Sequence, residues 1–277
     1  MGLLSSALYI VATPIGNLED ITLRALRVLK ECDAIACEDT RQTRKLLDHF
    51  DVPSKPLLSY HEHNEVERTA DLLTRLQGGA SIALVTDAGT PLVSDPGYRV
   101  VAAAIAAGIP VVPIPGPSAA LAALSAAGLA TDAFRFCGFL PPKSSQRRKV
   151  IEEHARESCT LIFYEAPHRI LDALEDVTAV LGARPVVVAR EVTKLHEEFL
   201  RGTAEEVRTQ LAARPSVRGE ITLLIGKANA PSVDTTVSAE DAVRALEAAG
   251  VPRMEAIKRI ARERGLGKRD LYRDLTK

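Results

Sequence analysis

Ser81-Ile-Ala-Leu-Val-Thr-Asp-Ala-Gly-Thr-Pro-Leu-Val-Ser-Asp-Pro-Gly97 begins as a strand and ends where a helix begins. Residues 81–86 are a short apolar run rich in β-branched side chains, which predicts a buried strand. The run stops at Asp87, and a loop containing Gly89, Pro91, Pro96 and Gly97 follows. The apolar spacing of residues 98–107 predicts a helix, with Asp95 as its N-cap and Pro96 at its first position. Strand, glycine-bearing loop, helix is how open α/β sheets build a site at the carboxyl ends of their strands. Gly89 lets backbone approach a ligand closely, and Asp87 and Thr90 offer it polar partners. An ordinary βα connection carries the same local pattern.

The unit repeats on both sides. Residues 8–12 predict a first strand, 13–20 its loop and 21–30 a helix capped by Thr22 or Asp20; the loop lacks G-x-G-x-x-G, so a dinucleotide fingerprint is not supported. Residues 34–37 predict a strand ending in Glu38-Asp-Thr-Arg41, followed by a helix through Leu47. A strand at 57–60 runs into His61-Glu-His-Asn64 and a helix at 66–76, and one at 110–114 runs into Pro115-Gly-Pro-Ser118 and a helix at 118–127. In a parallel sheet, loops 14–19, 38–41, 87–95 and 115–119 fall on one edge. From Phe134 the strands outnumber the helices: strands are expected at 134–140, 159–165, 185–192, 198–202 and 219–226. Helices fall within 166–181 and 207–213, and residues 141–149 are a Pro-led basic loop running into a helix. The expected organisation is an N-terminal α/β domain with the cofactor loops (1–118), a second α/β domain with a mixed sheet (119–227), a linker (228–237) and a helix-turn-helix-like module (238–277). The module's helical patterns lie at 239–249, 253–264 and 268–275; so short a segment holds little core alone and should dock on the body or on a partner.

Composition narrows the function. A 277-residue chain with 46% hydrophobic residues suits one large or two medium packed domains. Its 35 basic and 36 acidic residues nearly cancel, yet residues 251–277 hold nine basic against four acidic side chains, a basic tail on an acidic body. That asymmetry fits contact with a polyanion, as it also fits a solvated helix face. The four cysteines lack C-x-x-C spacing, and Cys37, Cys137 and Cys159, in or beside strand-like runs, suit small apolar filler, which points to a reducing, cytoplasmic compartment. No apolar run reaches membrane-spanning length, the N-terminus lacks the basic flank of a signal peptide, and Met1-Gly-Leu-Leu-Ser-Ser6 matches a myristoylation pattern short enough to arise by chance. Neither G-x-x-x-x-G-K-[ST] nor G-x-S-x-G occurs, which disfavours P-loop and serine-hydrolase chemistry. His61-x-His63 suits solvated histidines better than ligands, so no metal is expected. The residues alone lead to an α/β cofactor-binding enzyme with a basic appendage.

Seven motifs in order go further: Ala12-Thr-Pro-Ile-Gly-Asn-Leu-Glu-Asp20, Cys37-Glu-Asp-Thr-Arg41, Tyr60-His-Glu-His-Asn-Glu65, Thr86-Asp-Ala-Gly-Thr-Pro-Leu-Val-Ser-Asp-Pro-Gly97, Pro113-Ile-Pro-Gly-Pro-Ser-Ala119, Phe163-Tyr-Glu-Ala-Pro-His-Arg169 and Arg190-Glu-Val-Thr-Lys194. Together they resemble a family of ribosomal RNA small-subunit methyltransferases in the tetrapyrrole methylase superfamily, over residues 8–226, and the three-helix end resembles that family's C-terminal module. The resemblance implies S-adenosyl-L-methionine as methyl donor, held between two α/β domains of a homodimer. It implies methylation of the ribose 2′-oxygen of a cytidine in the decoding centre of 16S rRNA, in the small ribosomal subunit. Carried onto this chain, the cofactor contacts are Pro14, Asp87, Gly89, Thr90, Leu92, Val93, Ser94, Ser118 and Ala119. Phe163 and Tyr164 are expected on the adenine side, with Gly219 and Glu220 nearby. Superfamily relatives show Gly-Asp-Pro where this chain has Gly89-Thr-Pro91, so Asp87 is expected to take the polar role.

An activated methyl needs alignment more than covalent help, plus a base for the hydroxyl proton. Glu38, Asp39 and Glu165 are the carboxylates in reach of that role, while Arg41, Arg169 and Lys194 suit the neighbouring phosphate or lower the hydroxyl pKa; each also suits a salt bridge at the domain junction. RNA is expected to meet Lys143, Arg147, Arg148 and Lys149 and the tail, including Lys268 and Arg269. The tail alternatively forms a small dimer-stabilising bundle. Two rival functions are a small-molecule, tetrapyrrole-type methylase, which needs no extended cationic surface, and a non-enzymatic helix-turn-helix regulator.

Overall fold

The computed structural model describes the chain apart from residues 1, 3, 229–237, 249, 265, 268–270, 274, 276 and 277. It divides into two units, Met1–Lys227 and Ala228–Lys277. The first unit holds two five-stranded sheets. Strands β1 (Leu8–Val11), β2 (Ala34–Cys37), β3 (Leu57–Ser59), β4 (Ile82–Leu84) and β5 (Val111–Ile114) build one sheet in the order β3-β2-β4-β1-β5, and all its pairings are parallel. Alternate residues serve opposite faces: Leu8 packs with Tyr60, Leu72 and Val100, while Tyr9 and Val11 pack with Val28, Leu29 and Leu47. Both faces are covered, which is why these strands are uninterrupted apolar runs in sequence.

Helices α1 (Leu23–Glu31), α2 (Thr40–His49), α3 (Glu65–Gln77), α4 (Tyr98–Ala106) and α5 (Ala119–Ala127) follow the successive strands. The cap of α1 is Thr22 rather than Asp20: the Ala25 amide donates to its hydroxyl at 3.0 Å, a bond worth about 1 kcal/mol. The start of α4 departs from the sequence expectation. Its N-cap is Gly97 at φ +142°, so neither Asp95 nor Pro96 caps or opens it. Leu92 and Ser94 also take positive φ, and the loop turns back so that a Cβ on Gly97 would lie 3.0 Å from both Leu84 Cδ2 and Leu92 Cδ1. Only a glycine fits that crossing.

The second sheet takes β6 (Phe134–Phe139), β7 (Thr160–Glu165), β8 (Pro185–Arg190), β9 (Glu198–Thr203) and β10 (Ile221–Ile225) in the order β6-β7-β10-β8-β9. Its first pair is parallel and the others antiparallel, a mixed sheet. Helices α6 (Ser144–Glu153), α7 (Ile170–Leu181) and α8 (Ala204–Ala212) contribute Ile151, Leu174, Val177, Val207 and Leu211 to the core on one face. Ala120, Ala123, Leu124 and Ala127 of α5 pack on Ile162, Val187 and Leu224 of the other face. The helix that leaves the first sheet therefore covers the second.

In the second unit, α9 (Ala239–Ala248) and α10 (Arg253–Arg264) pack through Val243, Ala256, Ile257 and Ile260, joined by Leu271. The Ser238 hydroxyl accepts from the Asp241 amide at 3.0 Å at the start of α9. Among the described residues, no helix is long and apolar enough to cross a membrane.

Candidate active site

The loops that leave β1, β4 and β5 are stitched together at one edge of the parallel sheet. Thr13 and Gly89 exchange backbone hydrogen bonds of 2.9 and 3.0 Å, the Thr13 hydroxyl donates to the Thr86 carbonyl at 3.0 Å, and the Thr90 hydroxyl donates to the Pro117 carbonyl at 3.0 Å. Gly89, at φ +88°, is held between Ile15 and Pro117, where a Cβ would lie 3.4 Å from Ile15 Cγ2. These loops and the ends of the second sheet enclose a cavity of about 460 Å³. That is the volume of a cofactor-sized ligand. Asp87, Asp95 and the loop between them form one wall, Ser118 and Ala119 at the start of α5 another, and Phe139, Tyr164, Glu165 and Thr222 a third.

The electrostatics of the cavity are one-sided. Burial pushes the Asp87 and Asp95 carboxyls of the cavity wall above their ordinary range; Glu38, which does not itself line the cavity, is raised by burial and then by Asp87 and Asp95, with His61 acting against the rise. The Thr86 hydroxyl forms no well-aligned hydrogen bond but lies near enough to Glu38 and Asp95 to moderate their rise. Glu165 is 2% exposed. Its Oε1 accepts from the Ala166 amide at 2.8 Å and from Arg169 Nη2 at 2.6 Å, whereas its buried Oε2 has no partner. A carboxylate fixed through one oxygen leaves the other to receive a donor from a ligand. The Tyr164 ring packs edge-on against Phe136 and Phe139 at 4.9 and 5.6 Å, an apolar surface suited to a flat ring.

Asp87, Gly89, Thr90, Val93, Ser94, Ser118, Ala119, Tyr164, Glu165 and Glu220 all line the cavity, as a site built from these residues requires. Four residues expected there do not. Phe163 is fully buried among Leu140, Ile151 and Leu174, because side chains alternate along β7 and Tyr164 takes the cavity face. Leu92 packs against Gly97 and Leu84, Pro14 is buried beside Ile15, and Gly219 lies against Glu191. Arg41 is exposed on α2 and lines a separate surface groove. Lys194 Nζ donates to Glu191 and Glu220 at 3.0 Å each; burial alone lowers its pKa, but the two carboxylates outweigh that and hold the ammonium charged. It clamps a cavity wall. Asp39 spends its carboxylate on the Arg41 and Gln42 amides as the N-cap of α2.

The basic loop also changes meaning. Arg147 is buried, its Nε 2.7 Å from Asp176, so its guanidinium is not open to a polyanion; Arg148 reaches the same carboxylate at 2.5 Å through Nε but stays exposed, as Lys143 and Lys149 do. Asp176, their shared partner, lies on α7, 29 and 28 residues further along the chain, where no local pattern links it to them. Lys268 and Arg269 lie outside the described residues. His61 pairs with Asn64, and among the described residues no three metal-ligating side chains converge. Asp95, in the loop expected at this edge but read there as a helix cap, faces the cavity instead, and the Phe139 and Thr222 wall has no signal in the sequence because only the packing of the second sheet creates it.

A model of the tetrapyrrole (corrin/porphyrin) methylases matches residues 7–208. The chain is 51% identical to a ribosomal RNA small subunit methyltransferase I from Halalkalibacterium halodurans, over 96% of this chain and 93% of that one. It is 48% identical to a protein of the same name from Synechocystis, over 96% and 95%. The fold matches the native crystal structure of uroporphyrin III C-methyl transferase from Thermus thermophilus with a TM-score of 0.56 at 20% identity, over 79% of this chain and 97% of that one. A parallel and a mixed sheet around one shared cavity, with these similarities, establish that the chain belongs to the tetrapyrrole methylase family, alongside the ribosomal RNA small subunit methyltransferases I.

Proposed function

We propose that the protein methylates the ribose 2′-oxygen of a cytidine in the decoding centre of 16S rRNA, using S-adenosyl-L-methionine. The observation that carries this reading is the shared cavity, lined on one side by the Asp87 and Asp95 carboxyls, which burial raises, and on another by the Tyr164–Phe139 surface. Its residues fit the cofactor: Asp87 and Asp95 suit an ammonium group, the open N-terminus of α5 suits a carboxylate, and the Tyr164 ring and the free Oε2 of Glu165 suit an aminopurine. When bound, the cofactor supplies a methyl already activated on a sulfonium.

What remains for the chain is to orient the ribose and take its proton. Glu38, raised by burial and by two neighbouring carboxylates, is the best matched of the candidates to accept that proton. Asp39 is committed to its helix and Glu165 to Arg169. Lys194 positions Glu220 rather than touching the substrate. The proposed domains divide near residue 118, where α5 crosses between the sheets, and residues 228–237 serve as the linker to the helical module. A cytoplasmic homodimer completes the reading, supported by apolar side chains left open on two helices: Tyr98 and Ile105 of α4 are 76% and 63% exposed, and Leu121 of α5 is 53% exposed. A small-molecule methylase of the tetrapyrrole type is the alternative that the fold also accommodates.

The test is methyl transfer from labelled cofactor to isolated small ribosomal subunits, with the modified nucleotide located by mass spectrometry. Label on a cytidine ribose supports the function. Label only on a porphyrinoid, or none with either substrate, overturns it.

A further inference from the structure

Beside the cavity runs a second concavity, about 660 Å³, lined by Thr40, Arg41, Arg44, Lys55, Pro56 and Leu57. It follows the outer edge of the parallel sheet, between α2 and the loop entering the edge strand β3. Half of its lining is cationic and none of it acidic. Arg41 and Arg44 stand three residues apart, on one face of α2. Among the described residues, neither these arginines nor Lys55 forms an ion pair within 4 Å. Arg44 Nη1 donates to the Ser54 hydroxyl at 3.4 Å and Lys55 Nζ to the Cys32 carbonyl at 2.7 Å, neutral partners that orient the cations without cancelling them. Asp33 feels Lys55 only from beyond contact, and its own carboxylate is bound to Ser81. Asp39, the carboxylate nearest in sequence, is held by amides of its own helix.

We propose that this groove binds the sugar-phosphate backbone of the RNA next to the nucleotide being methylated. The inference rests on the functional reading above and deepens it. A chain of net charge −1 has no global attraction for a polyanion, so it needs a local group of unpaired cations. The Arg147–Arg148 segment supplies less than its sequence suggests, since Arg147 is buried and Asp176 neutralises one of the two guanidiniums. The groove supplies such a group, and it lies next to the chemistry: the Asp39 amide, one residue before Thr40, donates to Asp87 in the cavity wall at 3.2 Å. A strand seated on Arg41, Arg44 and Lys55 is thereby brought to the mouth of the cavity at the first turn of α2.

The experiment compares the full-length wild type with Arg41→Ala/Arg44→Ala/Lys55→Ala and with Lys143→Ala/Lys149→Ala. Each is titrated with a labelled single-stranded RNA of decoding-centre sequence across a series of KCl concentrations, and thermal melting checks that each variant is folded. Three lost phosphate contacts should make the slope of log K against log salt shallower by about 2 and lower affinity at low salt more than about tenfold. Cofactor affinity by calorimetry should stay within about twofold, since none of the three residues lines the cavity. If the alanine variant does not fold, the Arg41→Gln/Arg44→Gln/Lys55→Gln variant gives the same readout with less loss of packing. A folded variant whose slope equals that of a wild type that still methylates small subunits overturns the groove and leaves the function standing. A wild type that neither binds RNA nor methylates small subunits overturns both.

Discussion

The backbone amide of Asp39 donates to Oδ1 of Asp87 across 3.2 Å, so one carboxylate holds the start of α2 and faces the cofactor-sized cavity at once. Through it the loop after β2 and the loop after β4 share an anchor, and the acidic end of the cavity becomes continuous with the cationic groove on α2.

Asp87→Ala should weaken S-adenosyl-L-methionine binding by tenfold or more. Asp87→Asn should lose less, because an amide oxygen still accepts from Asp39 while the charge that suits an ammonium is gone. Calorimetry on the two variants separates charge from hydrogen bonding. Equal affinity in both and in the wild type would remove Asp87 from the cofactor site.

Glu38→Gln should lower the single-turnover methylation rate by about 10²–10⁴, the usual range for a lost general base, with cofactor affinity nearly unchanged. A base works deprotonated, and the carboxyl of Glu38 is raised by burial and by Asp87 and Asp95. The wild-type rate should therefore fall as pH drops through a midpoint above the ordinary glutamate range and level off on the alkaline side. A loss of less than about tenfold in the variant assigns the proton to another acceptor.

Asp176→Ala should destabilise the fold by about 3–5 kcal/mol, because it strands the buried Arg147 guanidinium. Both side chains are 3% exposed. Urea unfolding measures the loss. Burial alone would raise the Asp176 carboxyl, yet Arg148, Ser144 and Arg147 outweigh it and hold it below its ordinary value. Its stabilising contribution is therefore complete above the unfolded pKa and fades as pH falls through the lower folded one.

Glu198 supplies a second acid-sensitive contact. Hydrogen bonds from Arg214 at 2.6 and 2.7 Å, opposed by burial and joined by Arg190, hold its carboxyl down at about 2 instead of 4.5. A lowered carboxyl stabilises the fold above the unfolded value and loses that effect between about 4.5 and about 2. Glu198→Gln should thus be less stable than the wild type at pH 7, with the gap closing as pH approaches 2. A gap that stays constant with pH would show that the ion pair contributes nothing.

Much of the first sheet could be read from residue order, since strands buried on both faces must be short apolar runs and their helices carry caps and amphipathic spacing. Residues 8–12, 34–37 and 110–114 and the helix at 118–127 lie close to their observed bounds for that reason. Where several loops of small and polar residues follow parallel strands, their meeting at one edge is a consequence of topology, and Asp87, Gly89, Thr90 and Ser118 could be placed together in advance. Alternation along β7 was equally present in the sequence, but which of Phe163 and Tyr164 faces the cavity depends on which face α5 covers.

Taken alone, the order of residues determined the succession of strands and helices and the mixed character of the second sheet, because periodicity and turn chemistry are local properties, while the family was legible through the resemblance carried by seven motifs in order. Tertiary structure decided which charges are free. Arg147 and Arg148 are paired by Asp176, some thirty residues away, while Arg41, Arg44 and Lys55 meet no carboxylate within 4 Å among the described residues. It also left Glu38, Asp87 and Asp95 close enough together for Asp87 and Asp95 to raise Glu38. Coulomb energies and desolvation depend on distance and burial, and the chain acquires those only when its sheets pack.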